Sequence, residues 1–292
     1  MKTKLTIIIA AMTLASIASE AKTVRRTLNI IQSTVESSET IAPGSLELIY
    51  DYHFNADTVH HSSQDNEQML LQIAPGGISK FSSLRNARID SIIPTLSPEE
   101  IVRNSNRLVN GPSVNIFKNY PAGRLTHTEK IARDWFRYEE DMPQFDWQLG
   151  DSTRTIAGYE CREARCSFRG RDWTVFYCEE IPVMDGPWKF CGLPGLIMSA
   201  RDRNSDYSFE CIGIRNNATK PLTIYDVPYN ITDRRKFYDT LHRYEINPYS
   251  YVETVSGIHV TVTDEAGNPN PSAYEPIELS YDFIERDWRQ DH

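Results

Sequence analysis

Five cysteines lie between residues 161 and 211, and their thiols are the most reactive groups this sequence offers. Cys161, Cys166, Cys178, Cys191 and Cys211 never form a Cys-x-x-Cys pair, so neither thioredoxin-type exchange nor a four-cysteine zinc site is indicated. A nucleophilic thiol needs a base beside it, and no motif supplies one. In an oxidising compartment clustered cysteines pair, and an odd number leaves at least one of them free or intermolecular. A disulfide between Cys178 and Cys191 would close a short loop, a staple worth roughly 3 kcal/mol in the chain-entropy account. A bridge from Cys161 to Cys178 is its rival. If a turn at residues 169–172 sets the register, Cys161 falls opposite Glu180 and Cys178 opposite Glu163.

Other reactive groups give less. His60 and His61 are neighbours, and neighbours in an extended chain point to opposite sides and do not share one ion. His127 stands alone, and no His-Glu-x-x-His spacing occurs, so no metal is expected. The acids Glu139, Glu140 and Asp141, and the pair Glu179 and Glu180, could serve as general acid and base only if adjacent carboxylates converged, whereas on a strand they diverge. There is no Gly-x-Ser-x-Gly elbow, phosphate-cradling loop or dinucleotide fingerprint, so no cofactor is expected and no catalytic residue can be assigned.

The segment 186–195 is the most distinctive. Three glycines and two prolines prescribe its backbone, while Trp188, Phe190 and Leu193 are large and apolar. With Trp173 from a neighbouring strand, these side chains are the candidate ligand-binding residues, a fixed aromatic loop at the mouth of a groove. The competing reading tucks Trp188 and Phe190 into the core to close a sheet.

The elements that must position this loop are strands. Residues 46–54 alternate, with Leu46, Leu48, Tyr50, Tyr52 and Phe54 on one face. Residues 69–73 and 78–81 form a hairpin around Ala74-Pro75-Gly76-Gly77. Further strands are expected over 114–118, 124–128 and 134–140, and four more between 155 and 214, where Trp173, Val175 and Tyr177 share a face. Local spacing of roughly 8 to 12 residues argues for hairpins, not βαβ crossovers. Ser97-Pro98-Glu99-Glu100 is a capping box that starts a short helix. Thr232 and Asp233 precede a helix over 232–244, in which Phe237, Leu241 and Tyr244 form an apolar stripe, and Asn247-Pro248 stops it. Residues 259–263, followed by the turn at Gly267-Asn268-Pro269, predict a last hairpin or edge strand. The expected fold is mainly β: an antiparallel curved sheet or partly open barrel with one or two covering helices.

The chain begins with Lys2 and Lys4, an apolar stretch over 5–18 and Ala21 as a small residue before Lys22, the pattern of a signal peptide cleaved after Ala21. The stretch is too short to anchor in a bilayer core of about 30 Å, and the rest of the chain holds no long uncharged apolar run, so no transmembrane segment is expected after cleavage. The protein is thus expected to be periplasmic or secreted. Its 31 basic and 40 acidic residues leave −9 overall, with arginines scattered among acids, which argues against nucleic acid as a partner. The chain divides into a leader (1–21), a flexible segment (22–44), one mainly β domain (45–281) and a loosely held charged tail (282–292).

Gly186-Pro187-Trp188-Lys189-Phe190-Cys191-Gly192-Leu193-Pro194-Gly195-Leu196-Ile197-Met198 resembles the signature of the GLPGLI family of secreted Bacteroidetes proteins. Ser79-Lys80-Phe81, Ile156-Ala157-Gly158-Tyr159-Glu160-Cys161, Phe168-Arg169-Gly170-Arg171 and Glu180-Ile181-Pro182 resemble further family motifs in order, over about 46–280. The family implies export and no established activity. Its style is also similar to the lipoprotein carriers, whose curved antiparallel sheet cups apolar ligands beneath helices. The expected function is therefore a non-enzymatic binding or carrier protein for an apolar or peptide-like ligand or an outer-membrane partner. The alternatives are a secreted hydrolase with an unannounced acidic site and a structural or assembly factor.

Overall fold

Period-two apolar patterning and short turns build a single dominant sheet in the computed structural model, which describes residues 7–10, 36–55, 57–58, 64–218, 220–257, 260–263 and 268–289. Two short strands come first, β1 (Ile7–Ala10) and β2 (Ser38–Ala42). A meander follows: β3 (Leu46–Asn55), β4 (Gln64–Ile73), β5 (Ser79–Ser83), β6 (Asn115–Lys118), β7 (Arg124–Ile131) and β8 (Asp134–Asp141). A second meander holds β9 (Gln148–Ile156), β10 (Tyr159–Phe168), β11 (Arg171–Cys178), β12 (Leu196–Asp202) and β13 (Tyr207–Asn216). Antiparallel pairing of β13 with β3 joins the two meanders. With β15 (Tyr229–Ile231) added in parallel beside β8, they form one 12-stranded sheet that ends at β15 and β9 and is not closed into a barrel. Two small ladders stand apart, β2 with β14 (Leu222–Tyr225) and β1 with β16 (Val260–Thr263).

One face of the sheet carries the main core. Leu48 and Tyr50 of β3, Met69 and Leu71 of β4, Phe81 of β5 and Leu125 of β7 join Trp173, Val175 and Tyr177 of β11 and Phe209 of β13 in a single buried cluster. Tyr52 stacks on Phe209, its partner across the β3–β13 junction, with ring centroids 4.7 Å apart. Such directly opposed aromatic pairs help to fix register.

The connection from β11 to β12 does not skirt the sheet. Lys118 of β6 is buried, ion-pairs with Asp185 and donates to Gly186 O at 2.5 Å and Phe190 O at 3.2 Å. From the other meander, Trp173 packs edge-on to Phe190 with centroids 5.0 Å apart, and Trp147 Nε1 donates to Cys191 O at 3.1 Å. Both halves of the sheet therefore curl around this connection, which plugs the concavity. Gly195 is required there, because a Cβ on it would lie 2.2 Å from Cys178 O.

Two covalent expectations change. All five cysteines are free. Cys178 ends β11 opposite Leu196 of β12, whereas Cys191 forms an isolated bridge with Asp185 inside the plug, so the expected Cys178 to Cys191 disulfide is not made. The β10–β11 turn is also tighter than residues 169–172: Arg169 and Gly170 both take positive φ, and Phe168 pairs with Arg171. That two-residue turn shifts the register by two and brings Cys161, not Glu163, level with Cys178.

Four helices are described: α1 (Leu84–Ile92), α2 (Pro98–Arg103), α3 (Arg234–Ile246) and α4 (Pro248–Ser256). The Ser97 capping box is present, and Asp233 caps α3 by accepting from Lys236 N at 2.9 Å. Helix α3 presses Phe237, Tyr238 and Tyr244 onto Ile131 and Tyr138 of β7 and β8. Helix α1, absent from the sequence expectations, lies on the sheet's second face against β4 and β5.

The described part of the tail, residues 282–289, is not loosely held. Glu285 is wholly buried and ion-pairs with Lys189 at 2.6 Å, Arg234 at 2.7 Å and Arg169 at 3.4 Å, while Trp288 packs on Tyr238. A carboxylate buried among three cations ties the segment to the β10–β11 turn, the plug and α3, because removing it would take a buried partner from those cations. Of the leader and the segment to residue 44, only 7–10 and 36–44 are described; 7–10 form β1 and 38–42 form β2, and the cleavage point at Ala21 lies outside the described residues. His60, His61, His259 and Gly267 also lie outside them.

Candidate functional site

Strand alternation that sends Leu48 and Tyr50 into the core sends Glu47, Ile49 and Asp51 to the opposite face. There the sheet meets α1, whose N-cap Ser83 accepts from Asn86 N at 3.3 Å. The helix does not seal the face. Between it and β3, β4, β5, β13 and the start of β14 lies a cavity of about 610 Å³. A register shift between Cys211 and Gly213 bends β13 there, and Gly213 leaves its own side of the cavity open. A second cavity of about 320 Å³ shares Leu84 and Arg88 with the first and continues toward Asp51 and Glu67.

Ile49, Leu70, Leu84 and Ile214 give the larger cavity apolar wall, and Lys80, Arg88, Arg215, Lys220, Glu47 and Asp90 give it charge. Glu47 is already engaged: Gln72 Nε2 donates to it at 3.2 Å and Arg215 ion-pairs with it at 3.2 Å. Asp90 accepts from Tyr225 OH at 2.7 Å, and burial pushes its carboxyl up despite that bond and the Lys80 charge. Lys80 is only 9% exposed. Among the described residues its ammonium makes one hydrogen bond, to Thr223 O at 2.8 Å, and has no ion-pair partner. Phe117 and Tyr225 rings lie 5.6 and 5.7 Å from it, and burial lowers its pKa from 10.5 to about 8, partly offset by Asp90.

A strongly perturbed lysine in the wall of a half-apolar cavity is where a ligand site is looked for. The arrangement can hold an apolar body along Ile49, Leu70 and Ile214 with a polar end toward Lys80. No group of three or more side chains able to hold a metal converges among the described residues.

The sequence-predicted ligand residues lie elsewhere. Trp188, Phe190, Leu193 and Trp173 are 4%, 0%, 2% and 1% exposed, belong to one core cluster and line neither cavity. The groove mouth expected of 186–195 is in fact the sheet's plug. The acid groups do not converge either: Glu140 accepts from Lys189 at 2.5 Å, while Glu179 pairs with Arg162 at 3.2 Å. His127 stacks on Tyr138 and touches the tilted ring of Phe237, with Nε2 3.0 Å from Glu129. The thiols are poor nucleophiles, since burial raises Cys161 and Cys166 to about 12 and Cys191 and Cys211 to about 11. Sequence reasoning missed Lys80 and α1, although alternation alone places Lys80 on the face opposite Phe81.

A family profile described as "Protein of unknown function (Porph_ging)" matches residues 168–199, from the end of β10 through the plug into β12. The matched segment holds β11, the plug and the first residues of β12. Among solved structures, PNGF-II in space group P21 is similar at 13% identity and TM-score 0.47, over 68% of this chain and 33% of that one. Its C2 form is similar at 13% identity and TM-score 0.43, over 67% and 32%. A LolA superfamily protein, NE2245 from Nitrosomonas europaea, is similar at 7% identity and TM-score 0.25, over 68% of this chain and 94% of that one. The chain thus spans about a third of PNGF-II. No curated protein matches the sequence. No helix among the described residues is long and apolar enough to cross a membrane.

Proposed function

We propose that the protein is an exported, non-enzymatic binding or carrier protein whose ligand occupies the cavity between α1 and the second face of the sheet. The observation that carries this reading is the cavity of about 610 Å³, a size within the range of small-molecule sites, with apolar walls on rigid strands and a small number of charged groups. Helix α1 is its cover, resting on β4 and β5 and held at its start by Ser83 and by Asn86 Nδ2, which donates to Pro112 O at 2.8 Å. The raised thiol pKa values and the dispersal of Glu139, Glu140, Glu179 and Glu180 into ion pairs or solvent favour binding over hydrolysis. Export rests on the leader pattern over 1–21, and the periplasm or the exterior is the compartment it implies.

The test is an intrusion from the cavity floor. Ile49 lines the cavity without belonging to the main buried cluster, so Ile49→Trp fills the space and leaves the core intact. With N-phenyl-1-naphthylamine as a neutral apolar probe, the parent chain binds with enhanced fluorescence and Ile49→Trp loses that binding by about tenfold or more, with an unchanged melting temperature. Equal probe binding by both proteins, or none by either, overturns the reading.

A further inference from the structure

A buried ammonium costs several kcal/mol to desolvate and persists when something compensates it. Elsewhere in this protein that rule is kept: buried Lys118 has Asp185, and buried Lys189 has Glu140 and Glu285. Lys80 departs from it. It lines the α1 cavity with one carbonyl partner out of the three bonds an ammonium can donate.

The charges around it do not supply the missing anion. Facing Lys80 from α1 is Asp90, whose carboxylate is bound by Tyr225 of β14. From β3 comes Glu47, neutralised by Arg215 of β13. Beyond Asp90 stands Glu36, held by Lys130 at 3.1 Å and by Trp135 Nε1 at 3.2 Å. Arg88 and Lys220 add two more cations to the same wall, neither with an ion-pair partner among the described residues. The cavity wall therefore carries four cations, Lys80, Arg88, Arg215 and Lys220, against two carboxylates that are both already bound, beside the apolar side chains of Ile49, Leu70 and Ile214.

We infer that the ligand of this cavity is a single-chain amphiphile with an anionic head, the head set against Lys80 with Arg88 and Lys220 at the rim and the chain laid over Ile49 and Leu70. This inference rests on the carrier reading and names its ligand class. Carboxylate and phosphate heads share the required chemistry. An anion entering the cavity restores the pairing that Lys118 and Lys189 already have, and a charge pair excluded from water is stronger than one at the surface.

The experiment is displacement of N-phenyl-1-naphthylamine by four amphiphiles of equal chain length: dodecanoate, dodecyl phosphate, dodecanol and dodecyltrimethylammonium. At about pH 6.5 the two anions displace the probe at concentrations about tenfold or more below the alcohol, and the cation is the weakest. The anion preference closes as pH rises through about 8, where the ammonium loses its proton. It disappears in Lys80→Met and survives in Lys80→Arg, with melting curves confirming that both variants are folded. Dodecanoate ranked above dodecyl phosphate assigns a carboxylate source, and the reverse assigns a phosphate. Dodecanol equal to the anions, or Lys80→Met unchanged in its preference, overturns the inference while the cavity reading stands. A parent protein that binds neither the probe nor any amphiphile overturns both.

Discussion

Replacing Glu285 by glutamine isolates the clasp that holds the chain's last described residues. Burial alone would raise its carboxyl, but Lys189, Arg169 and Arg234 outweigh burial and hold it at about 2, against an ordinary 4.5. A displacement of that size corresponds to about 3 kcal/mol of stability at neutral pH. Breaking a buried pair outright costs about 3 to 5 kcal/mol. The lower figure applies, because Lys189 keeps Glu140 at 2.5 Å and Arg234 keeps Asp287 at 2.7 Å. Glu285→Gln is therefore expected to lower the guanidinium unfolding free energy by about 3 kcal/mol at pH 7. The pH dependence gives an independent check. The folded pKa lies below the unfolded one, so the stabilisation is complete above about 4.5 and is lost as pH falls toward about 2. The gap between parent and variant should narrow over that window and nowhere else. A variant within about 0.5 kcal/mol of the parent at pH 7, or a gap indifferent to acid, refutes the clasp.

Three further outcomes follow from the packing. Trp188→Ala should destabilise by about 3 to 5 kcal/mol while leaving probe binding in the α1 cavity unchanged; loss of probe binding at preserved stability would return the plug to the ligand site. Gly195→Ala should fail to yield folded protein by circular dichroism and gel filtration, since the new Cβ meets the Cys178 carbonyl; native-like melting would show that the plug's entry is more yielding than the structure has it. Ellman's reagent at about pH 8 should find the thiols slow in the folded chain, wholly buried Cys178 included, and all five reactive in guanidinium without reductant; fewer than five after unfolding would mean that a disulfide forms.

Strand alternation made most of the sheet readable beforehand. Leu46, Leu48 and Tyr50 face the core as their period of two demands, and Trp173, Val175 and Tyr177 do the same on β11. Ser97 and Asp233 announced their helices because capping is a local interaction. The site was hidden for the opposite reason. Helix α1 reads Leu-Arg-Asn-Ala-Arg-Ile-Asp-Ser-Ile, without a continuous apolar stripe, because part of its inner face borders a cavity instead of a core. Lys80 looked like an ordinary exposed strand residue, and only tertiary packing buries it beneath Tyr225 and Asp90. The plug was misplaced because an aromatic loop has the same composition whether it lines a groove or fills one. The tail was misjudged because Glu285 finds its partners 51 to 116 positions away, at Arg234, Lys189 and Arg169, and no local pattern encodes that.

The seam between β3 and β13 has a kinetic corollary. It unites residues 46–55 with 207–216, so in N-to-C order the first meander is present well before the strand that completes it. Until β13 arrives, β3 offers a ten-residue bare edge with Tyr50 and Tyr52 beside it, the kind of surface on which nascent chains stick to one another. Closing that seam joins strands more than 150 residues apart, so it is expected to be a slow step in folding compared with the hairpins on either side.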